Sequence, residues 1–227
     1  KYIDCKNRFI EPFAGSCAIS LNVDAKNYII SDVNNDLITL YKIVIADDSF
    51  IEYAKSFFAV ENNTQEKFYE FREIFNLTKD QRLKSALFVY LNRHGFNGLC
   101  RYNSRGGFNV PFGRYKTPYF PENEMIDFKN KLKKAKFLCQ DFRKTMVSAK
   151  KGDVVYCDPP YIPLSKTSSF TSYAQGGFGE QDQIDLMKMA QNLREKGVRV
   201  IISNHNNEFS QNLYSGANLI EEFEVQR

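Results

Sequence analysis

The chain has 227 residues, which allows one large domain or a core with a smaller inserted domain. Hydrophobic residues make up 43% of it and charged residues 26%, which excludes a mainly disordered, collagenous or coiled-coil protein. No apolar run reaches the roughly 18 to 20 residues of a membrane helix, and five scattered cysteines without a CxxC pair argue against a disulfide framework or zinc knuckle. These features predict a globular, cytoplasmic protein without a membrane partner.

The first 45 residues alternate apolar runs with turn and helix patterns. Residues 8–12 predict a strand, which ends at the turn-rich residues 13–16 before a helical pattern starts at Ala18. Residues 28–32 predict a second strand, and residues 34–45 predict a helix. The N-terminus is therefore predicted to form a βαβ-like unit.

The rest of the chain begins with helices and ends with the same alternation. Amphipathic helices are predicted at 64–75 and 82–93, and further helices at 124–134 and 181–196. Strands are predicted at 136–139, 153–157 and 198–203. We therefore expect an α/β fold with a doubly wound core, residues 1–45 and 136–227, interrupted by an inserted module at 46–135 that is helical and then irregular.

Charge is distributed unevenly along the chain, although its net value is only +4. Residues 81–121, called here the acid-free segment, contain no Asp or Glu, whereas an even distribution would place about five there. They contain seven basic residues, Arg82, Lys84, Arg93, Arg101, Arg105, Arg114 and Lys116, which leaves −3 for all other residues. Aromatic rings and glycines interleave with these cations, a combination that suits binding to phosphates and stacking on bases. A solvated basic face on a Phe-rich core is the alternative.

The first predicted strand ends in Glu11, followed after Pro12 by Phe13, Ala14 and Gly15. Open α/β sheets bind ligands at this end of their strands, and small residues let the backbone approach a cofactor. Asp32, at the end of the next predicted strand, is placed to accept hydrogen bonds from two sugar hydroxyls. Alternatively, Gly15 forms an ordinary turn and Asp32 caps the next helix. The incomplete GxGxxG pattern argues against NAD and FAD.

The sharpest motif is Asp158-Pro159-Pro160-Tyr161, called here the Asp158 turn, which directly follows the apolar run 154–157. Two prolines fix the backbone and prevent a helix or strand from continuing. Such a turn can direct the Asp158 carboxylate and the Pro159 carbonyl at the two hydrogens of one exocyclic amine, while the Tyr161 ring stacks on the base. A proline-rich connector is the alternative interpretation.

Two further runs lie in the acid-free segment: Leu-Asn-Arg-His-Gly-Phe-Asn-Gly-Leu-Cys-Arg-Tyr-Asn (91–103) and Asn-Val-Pro-Phe-Gly-Arg-Tyr (109–115). Together with the Asp158 turn and the residues around Gly15, they resemble the Dam-type DNA adenine-N6 methyltransferases. The likeness extends over nearly the whole chain and includes Ile-Ser-Asn-His at 202–205. It implies a Rossmann-like core that uses S-adenosylmethionine, and an inserted target-recognition domain. It also implies duplex DNA as substrate, usually at GATC. No metal is expected, because the two histidines are remote from each other and the cysteines are scattered. We expect a monomer that rotates its target base out of the duplex.

The resemblance also implies roles for individual residues. Asp158, Pro159 and Tyr161 would act on the target adenine. Asp32 would hold the donor's ribose, Asp141 and Phe142 would line its adenine pocket, and Glu11, Phe13, Ala14, Gly15 and Asp158 would complete the donor site. Contacts to DNA are expected from Arg93, Phe96, Asn97, Leu99, Arg101, Asn103, Pro111 and Arg114.

Two features of the family pattern differ in this chain. Cys17 stands where the family usually has a second glycine, and an N-terminal Trp-Ala-Gly-Gly-Lys-like run is not found. The family's last strand is expected beyond Arg227, and we expect both ends of the chain to be trimmed.

The target amine itself is the nucleophile, so the predicted reaction needs positioning and charge rather than a Ser/His pair or a metal. His94 and His205 are accordingly interpreted as structural residues. The polar segment 165–179 is predicted to form a lid that becomes ordered on DNA. Two other functions stay open at this stage: a DNA-binding module without catalysis, and a methyltransferase for RNA or for a protein amide. Asp158 counts against the last, because protein-amide enzymes tend to carry Asn there.

Overall fold

The computed structural model describes residues 3–161 and 177–224. Its described part contains one sheet of five parallel strands. The strands are β1 (Arg8–Glu11), β2 (Asn27–Asp32), β3 (Lys136–Cys139), β4 (Val154–Cys157) and β5 (Arg199–Ile202). They are arranged in the order β3-β2-β1-β4-β5. The strand order reverses between β1 and β4, which opens a crevice at their carboxyl ends. This Rossmann-like arrangement confirms the predicted α/β fold.

Nine α-helices lie within the described ranges. They are α1 (Ala18–Asn22), α2 (Asn35–Ala46), α3 (Phe50–Lys55), α4 (Gln65–Leu77), α5 (Gln81–His94), α6 (Glu122–Leu132), α7 (Phe142–Met146), α8 (Glu180–Glu195) and α9 (Glu208–Leu213). All the long helices correspond to predicted ones, within about two residues at their ends. The sequence did not predict α3, α7 and α9, because five or six residues are too few to show a helical period.

Side-chain caps fix where the principal helices begin. The Asn34 side chain accepts hydrogen bonds from the backbone N–H groups of Asp36 and Leu37 at the start of α2. Asp80 does the same for Arg82 and Leu83 at the start of α5. Such caps each stabilise a helix by about 1 kcal/mol. They place α2 directly after β2.

Alternate residues of the central strands point to opposite faces of the sheet. Phe9 and Val154 belong to the larger hydrophobic core, whereas Ile10 and Val155 belong to a smaller one that packs under α7 and α8. The larger core continues into residues 46–135, where Phe68 of α4 is fully buried in it. Helix α5 of this segment packs against α2, which itself lies against β2 and β3, so the larger core extends from one face of the sheet through α2 into this segment. A division into domains at residues 46 and 135 stays a prediction.

Candidate active site

Residues 13–17, called here the Gly15 turn, connect β1 to α1 and lie beside the end of β2. The Gly15 backbone has a φ of +45° and its N–H donates to Asp32 Oδ2 at 3.1 Å. The other carboxylate oxygen of Asp32 accepts from the Asn34 N–H at 2.9 Å. Since Asn34 caps α2, the alternative role of Asp32 as the helix cap is wrong. Asp32 is instead held against the Gly15 turn.

Cys17 ends the Gly15 turn in a left-handed backbone conformation with a φ of 59°. A residue with a Cβ atom adopts this conformation at a cost of about 1–2 kcal/mol, whereas glycine adopts it freely. The glycine that the family usually has at this position therefore suits the backbone found here. Cys17 is fully buried, and the Tyr41 hydroxyl donates to the Gly15 carbonyl, so packing holds the turn in place.

Two aromatic rings from later in the chain pack against Phe13 of the Gly15 turn. Phe13 stacks on Phe142 with ring centroids 5.1 Å apart, and Phe178 contacts both rings at 5.6 and 5.7 Å. Asp141 lies next to Phe142, at the start of α7, where its side chain accepts from the Arg143 N–H. The structure thus brings the predicted donor residues of the first turn and of α7 together. Of the predicted lid, residues 165–176 lie outside the described residues.

An ion-pair network that the sequence did not predict joins α7 to α8. The Arg143 guanidinium contacts the carboxylates of Asp141, Asp182 and Asp185 at 3.1, 2.6 and 2.6 Å. It also lies over the Phe142 ring at 4.4 Å. Arg143 therefore fixes α7 against the start of α8.

The Asp158 turn follows β4, the neighbour of β1 in the sheet. Asp158 Oδ1 accepts from the Ser203 hydroxyl at 2.6 Å and from the Tyr161 hydroxyl at 2.8 Å. Burial, and then the hydrogen bond to Asp158, raise the pKa of Tyr161 to about 12. The Tyr161 ring packs against His205 at 4.2 Å and is 37% exposed, while Pro159 is buried. A carboxylate and an aromatic ring thus lie side by side at the crevice.

The two histidines have different surroundings. His94 is buried, its Nδ1 lies 3.0 Å from the Tyr90 carbonyl, and its ring stacks on Tyr90 at 3.8 Å. Burial lowers the pKa of His94 to about 4, which fits its predicted structural role. His205 instead lies beside Tyr161. The sequence alone did not predict that contact.

Glu11 is the last residue of β1, the strand that pairs with β4. Glu11 is 2% exposed, and its carboxyl group accepts a hydrogen bond from the Ser20 hydroxyl. Burial and then the negative charge of Asp158 raise the pKa of Glu11 to about 7, against the opposing effect of Ser20. Glu11 therefore lies behind the crevice, close enough to Asp158 for the two charges to interact.

The basic residues of the acid-free segment divide into those that form ion pairs and those that do not. Arg82 pairs with Asp47 at 2.7 Å and Lys84 with Asp36 at 3.1 Å, so these two residues fix helices together. Within the described residues, the other five cations form no ion pair. They are Arg93, Arg101, Arg105, Arg114 and Lys116. Their charge is thus available to an anionic partner.

A turn after α5 presents Phe96 and Asn97 to solvent. The Phe96 N–H donates to the Pro111 carbonyl at 2.9 Å, and the Asn97 N–H donates to the Tyr115 hydroxyl at 2.9 Å. Asn97 has a φ of 52°, and the Phe96 ring is 48% exposed. Arg114 is exposed with a φ of 56°. A protruding ring is held in this way by backbone hydrogen bonds.

Residues 101–109 form a hairpin-like loop next to this turn. Arg101 donates from Nε to Asn109 Oδ1 at 2.9 Å and from Nη2 to the Asn109 carbonyl at 3.0 Å. The Asn103 carboxamide oxygen accepts from the backbone N–H groups of Arg105 and Gly107, which closes the loop. The Arg101 guanidinium is thereby oriented on one edge, and its Nη1 edge stays available.

The remaining predicted DNA contacts have mixed environments. Arg93 donates to the Tyr119 carbonyl at 2.9 Å. Leu99 is half-buried against the larger core, whereas Pro111 is exposed. The base of the loop is attached beside Asp32, because the Tyr102 hydroxyl donates to Asp36 at 2.9 Å.

Neither a cluster of metal-ligating side chains nor a helix long and apolar enough to cross a membrane occurs in the part of the chain that the structure describes. All five cysteines are free thiols.

Comparison with known proteins identifies the family. The family model described as "D12 class N6 adenine-specific DNA methyltransferase" matches residues 1–226. The chain is 49% identical to a DNA adenine methylase of Serratia marcescens over 218 residues, which cover 95% of this chain and 80% of that protein. It is 46% identical to the DNA adenine methylase of Escherichia coli K12 over 211 residues, 92% of this chain and 76% of that protein. A Vibrio cholerae DNA adenine methylase is 46% identical over 212 residues, with the same coverage of both chains. The protein belongs to the D12 class of N6 adenine-specific DNA methyltransferases.

Proposed function

We propose that the enzyme transfers a methyl group from S-adenosylmethionine to adenine N6 in duplex DNA, at GATC sites, after rotating the adenine out of the helix. The observation that carries this proposal is the Asp158 turn. Its carboxylate and the Tyr161 ring lie at the strand-order reversal, one strand from the Gly15 turn. Ligands bind at such reversals in open α/β sheets.

The residues of the Gly15 turn and its neighbours fit the proposed methyl donor. A Cβ atom added at Gly15 would meet no atom within 4 Å, so a ligand has space to approach the backbone. Asp32 is held by two backbone N–H groups, which leaves oxygen lone pairs for ribose hydroxyls. Phe13, Phe142 and Asp141 would line one side of the donor's adenine ring. When bound, the donor supplies a methyl group on a positively charged sulfur, which suits a site that carries several carboxylates.

The Asp158 turn supplies the groups that act on the target base. Both described hydrogen bonds to Asp158 fall on Oδ1, so Oδ2 has no partner among the described residues. Oδ2 and the Pro159 carbonyl would accept the two N6 hydrogens and stabilise the positive charge that develops on N6. The Tyr161 ring would stack on the extruded base.

The acid-free segment, within the proposed target-recognition domain at 46–135, would bind the duplex. Its free cations attract phosphates, and the exposed Phe96 ring with Asn97 can fill the gap that the adenine leaves. The oriented guanidinium of Arg101 can pair with guanine O6 and N7, and Arg114 is the second candidate for this contact. Arg93, Leu99, Asn103 and Pro111 complete the proposed surface.

A methyl-transfer assay tests this function. Labelled donor is incubated with a GATC duplex, the same duplex with the guanine changed, RNA of the same sequence, and protein. We expect label only in the GATC duplex, on adenine N6. Rapid labelling of RNA would contradict the proposed substrate, and equal labelling of both duplexes would contradict the proposed site. Fluorescence of 2-aminopurine at the target position should rise on binding, because an extruded base is no longer quenched by stacking; constant fluorescence would argue against base rotation.

A further inference from the structure

A polar side chain outside the predicted site lies fully buried next to the Asp158 turn. Gln183 of α8 has 0% exposure, and its amide group forms three hydrogen bonds. Nε2 donates to the Pro160 carbonyl at 3.2 Å, and Oε1 accepts from Asn204 Nδ2 at 3.1 Å and from the Tyr214 hydroxyl at 3.0 Å. A buried amide is costly unless it is bonded, so these partners explain how Gln183 is tolerated.

The hydrogen bond from Gln183 to the Pro160 carbonyl restrains ψ of Pro160, a backbone torsion that the proline ring does not fix. A proline ring fixes φ but not ψ, so ψ is the soft torsion of each proline in this turn. The orientation of the Pro160 carbonyl follows from its ψ angle, and the next residue is Tyr161. A donor that holds this carbonyl therefore fixes the direction in which the chain enters Tyr161.

The other two hydrogen bonds connect the Asp158 turn to residues 203–205, which follow β5. Ser203 donates to Asp158, and the His205 ring packs on Tyr161. Asn204 lies between these two residues and donates to Gln183. One amide thus bonds to both loops that enclose the Asp158 carboxylate and the Tyr161 ring.

We propose that Gln183 is a positioning residue for methyl transfer, which aligns the Asp158 turn with residues 203–205 through its bonds to Pro160, Asn204 and Tyr214. The inference rests on the proposed function of the Asp158 turn. Because Gln183 is fully buried and its hydrogen bonds go to Pro160, Asn204 and Tyr214, it acts on the reaction through Asp158 and Tyr161. Its loss should lower the rate of the chemical step more than it weakens binding.

The first test compares Gln183→Leu with Gln191→Leu, an exposed glutamine of the same helix. A misplacement of about 1 Å can cost about 100-fold in rate, so we expect kcat of Gln183→Leu to fall about 10- to 100-fold. The dissociation constants for donor and DNA should stay within about threefold, because the groups that bind them are retained. Gln191→Leu should match wild type. An unchanged kcat for Gln183→Leu, or equal losses in kcat, binding and thermal stability, would overturn the positioning role.

A second variant keeps the test decisive if Gln183→Leu does not fold. Gln183→Glu has the same shape, and burial keeps its carboxyl neutral at low pH, where it can still donate to the Pro160 carbonyl. When this carboxyl group ionises, its oxygen can no longer donate to the Pro160 carbonyl oxygen, and the two oxygens repel each other. Its activity relative to wild type should therefore fall at least tenfold from about pH 6 to about pH 9. The neighbouring titratable groups are Asp158, Tyr161, His205, Tyr214 and Cys157. They occur in both proteins, so the ratio removes the pH dependence that the two proteins share. A ratio independent of pH would contradict the positioning role of Gln183.

A different result would reject the proposed function itself, namely that the wild-type enzyme does not methylate DNA.

Discussion

The strand ends of the sheet and the acid-free segment differ in the sign of their charge and in how that charge is held. At the strand ends, Glu11, Asp32 and Asp158 are each fixed by hydrogen bonds from neighbouring groups. In the acid-free segment, five cations form no ion pair among the described residues. Asn109 holds Arg101 on one edge, and Arg93 lies over the Tyr119 ring. Fixed carboxylates suit the small cationic donor that we propose for the first region. The second is prepared to meet a polyanion.

The two regions nevertheless contact the same helix, α2. Asn34 follows Asp32 by two residues, and its side chain donates to Cys100 Sγ at 3.5 Å in the acid-free segment. Tyr102 of that segment bonds to Asp36, close by in α2. The start of α2 therefore touches both the proposed donor site and the proposed DNA surface. Substitutions in one region should still separate catalysis from recognition.

The largest effect is expected at Asp158. Asp158→Ala removes the acceptor for N6 and should lower methyl transfer by more than about 1000-fold, since charge stabilisation in the transition state is lost. Donor binding should largely persist, because Asp32 and the Gly15 turn are unchanged. Transfer is measured with labelled donor and binding by calorimetry. Asp127→Ala, which removes an exposed carboxylate of α6, is the control. Activity within about tenfold of wild type would show that Asp158 does not have this role.

Asp32→Ala should affect the donor rather than the chemistry. Hydrogen bonds to a charged group contribute about 1.5–3 kcal/mol, so the donor's dissociation constant should rise about 10- to 100-fold. At saturating donor, kcat should approach that of wild type. Calorimetric titration gives the constant, and circular dichroism shows whether the fold is kept. A donor affinity equal to that of wild type would remove Asp32 from the donor site.

Arg101→Ala probes recognition within the basic region. We expect a loss of about 1–3 kcal/mol in binding to the cognate duplex and reduced discrimination at the guanine. Arg105→Ala, at the exposed tip of the same loop, should weaken cognate and altered duplexes alike, as a phosphate contact does. Binding is measured by fluorescence anisotropy at one fixed salt concentration. If Arg101→Ala weakens both duplexes equally, Arg101 contacts the backbone and Arg114 becomes the candidate reader.

The sequence predicted those features that leave a local pattern. Strand ends, the Pro-Pro turn and a 41-residue stretch without acids are visible along the chain itself. Asn34 shows the limit, since Asp32 ends a strand, Asn34 follows it, and only the structure shows which of the two caps α2. The two alternatives differ only in which side chain makes the capping hydrogen bonds, and the hydrophobic periodicity of the sequence does not show this.

Residues whose partners are distant in sequence could not be found in this way. Gln183 bonds to groups 21 to 31 residues away, and Arg143 pairs with acids about 40 residues later. In the sequence each is a single polar residue that belongs to no motif, and such residues usually face solvent. Their burial and bonding depend on how α7 and α8 pack on the sheet. Only the tertiary structure assigns them.

The smallest effect concerns the stability of the acidic region and the way it depends on pH. The pKa of Glu11 is raised from about 4.5 to about 7 in the folded protein, chiefly by burial. The folded state therefore binds more protons than the unfolded state between these values. Its stability is greatest below the lower value and is lost as the pH rises through the higher one.

Glu11→Gln removes this titration and keeps an acceptor for the Ser20 hydroxyl. From about pH 6 to about pH 7, the free energy of unfolding of wild type should fall about 1 kcal/mol more than that of the variant. Glu195→Gln, at an exposed acid near the end of α8, should follow wild type. Urea denaturation at each pH measures the difference. Parallel curves for wild type and Glu11→Gln would mean that Glu11 is charged in the folded protein throughout this range. Burial would then not raise the pKa of Glu11 as expected.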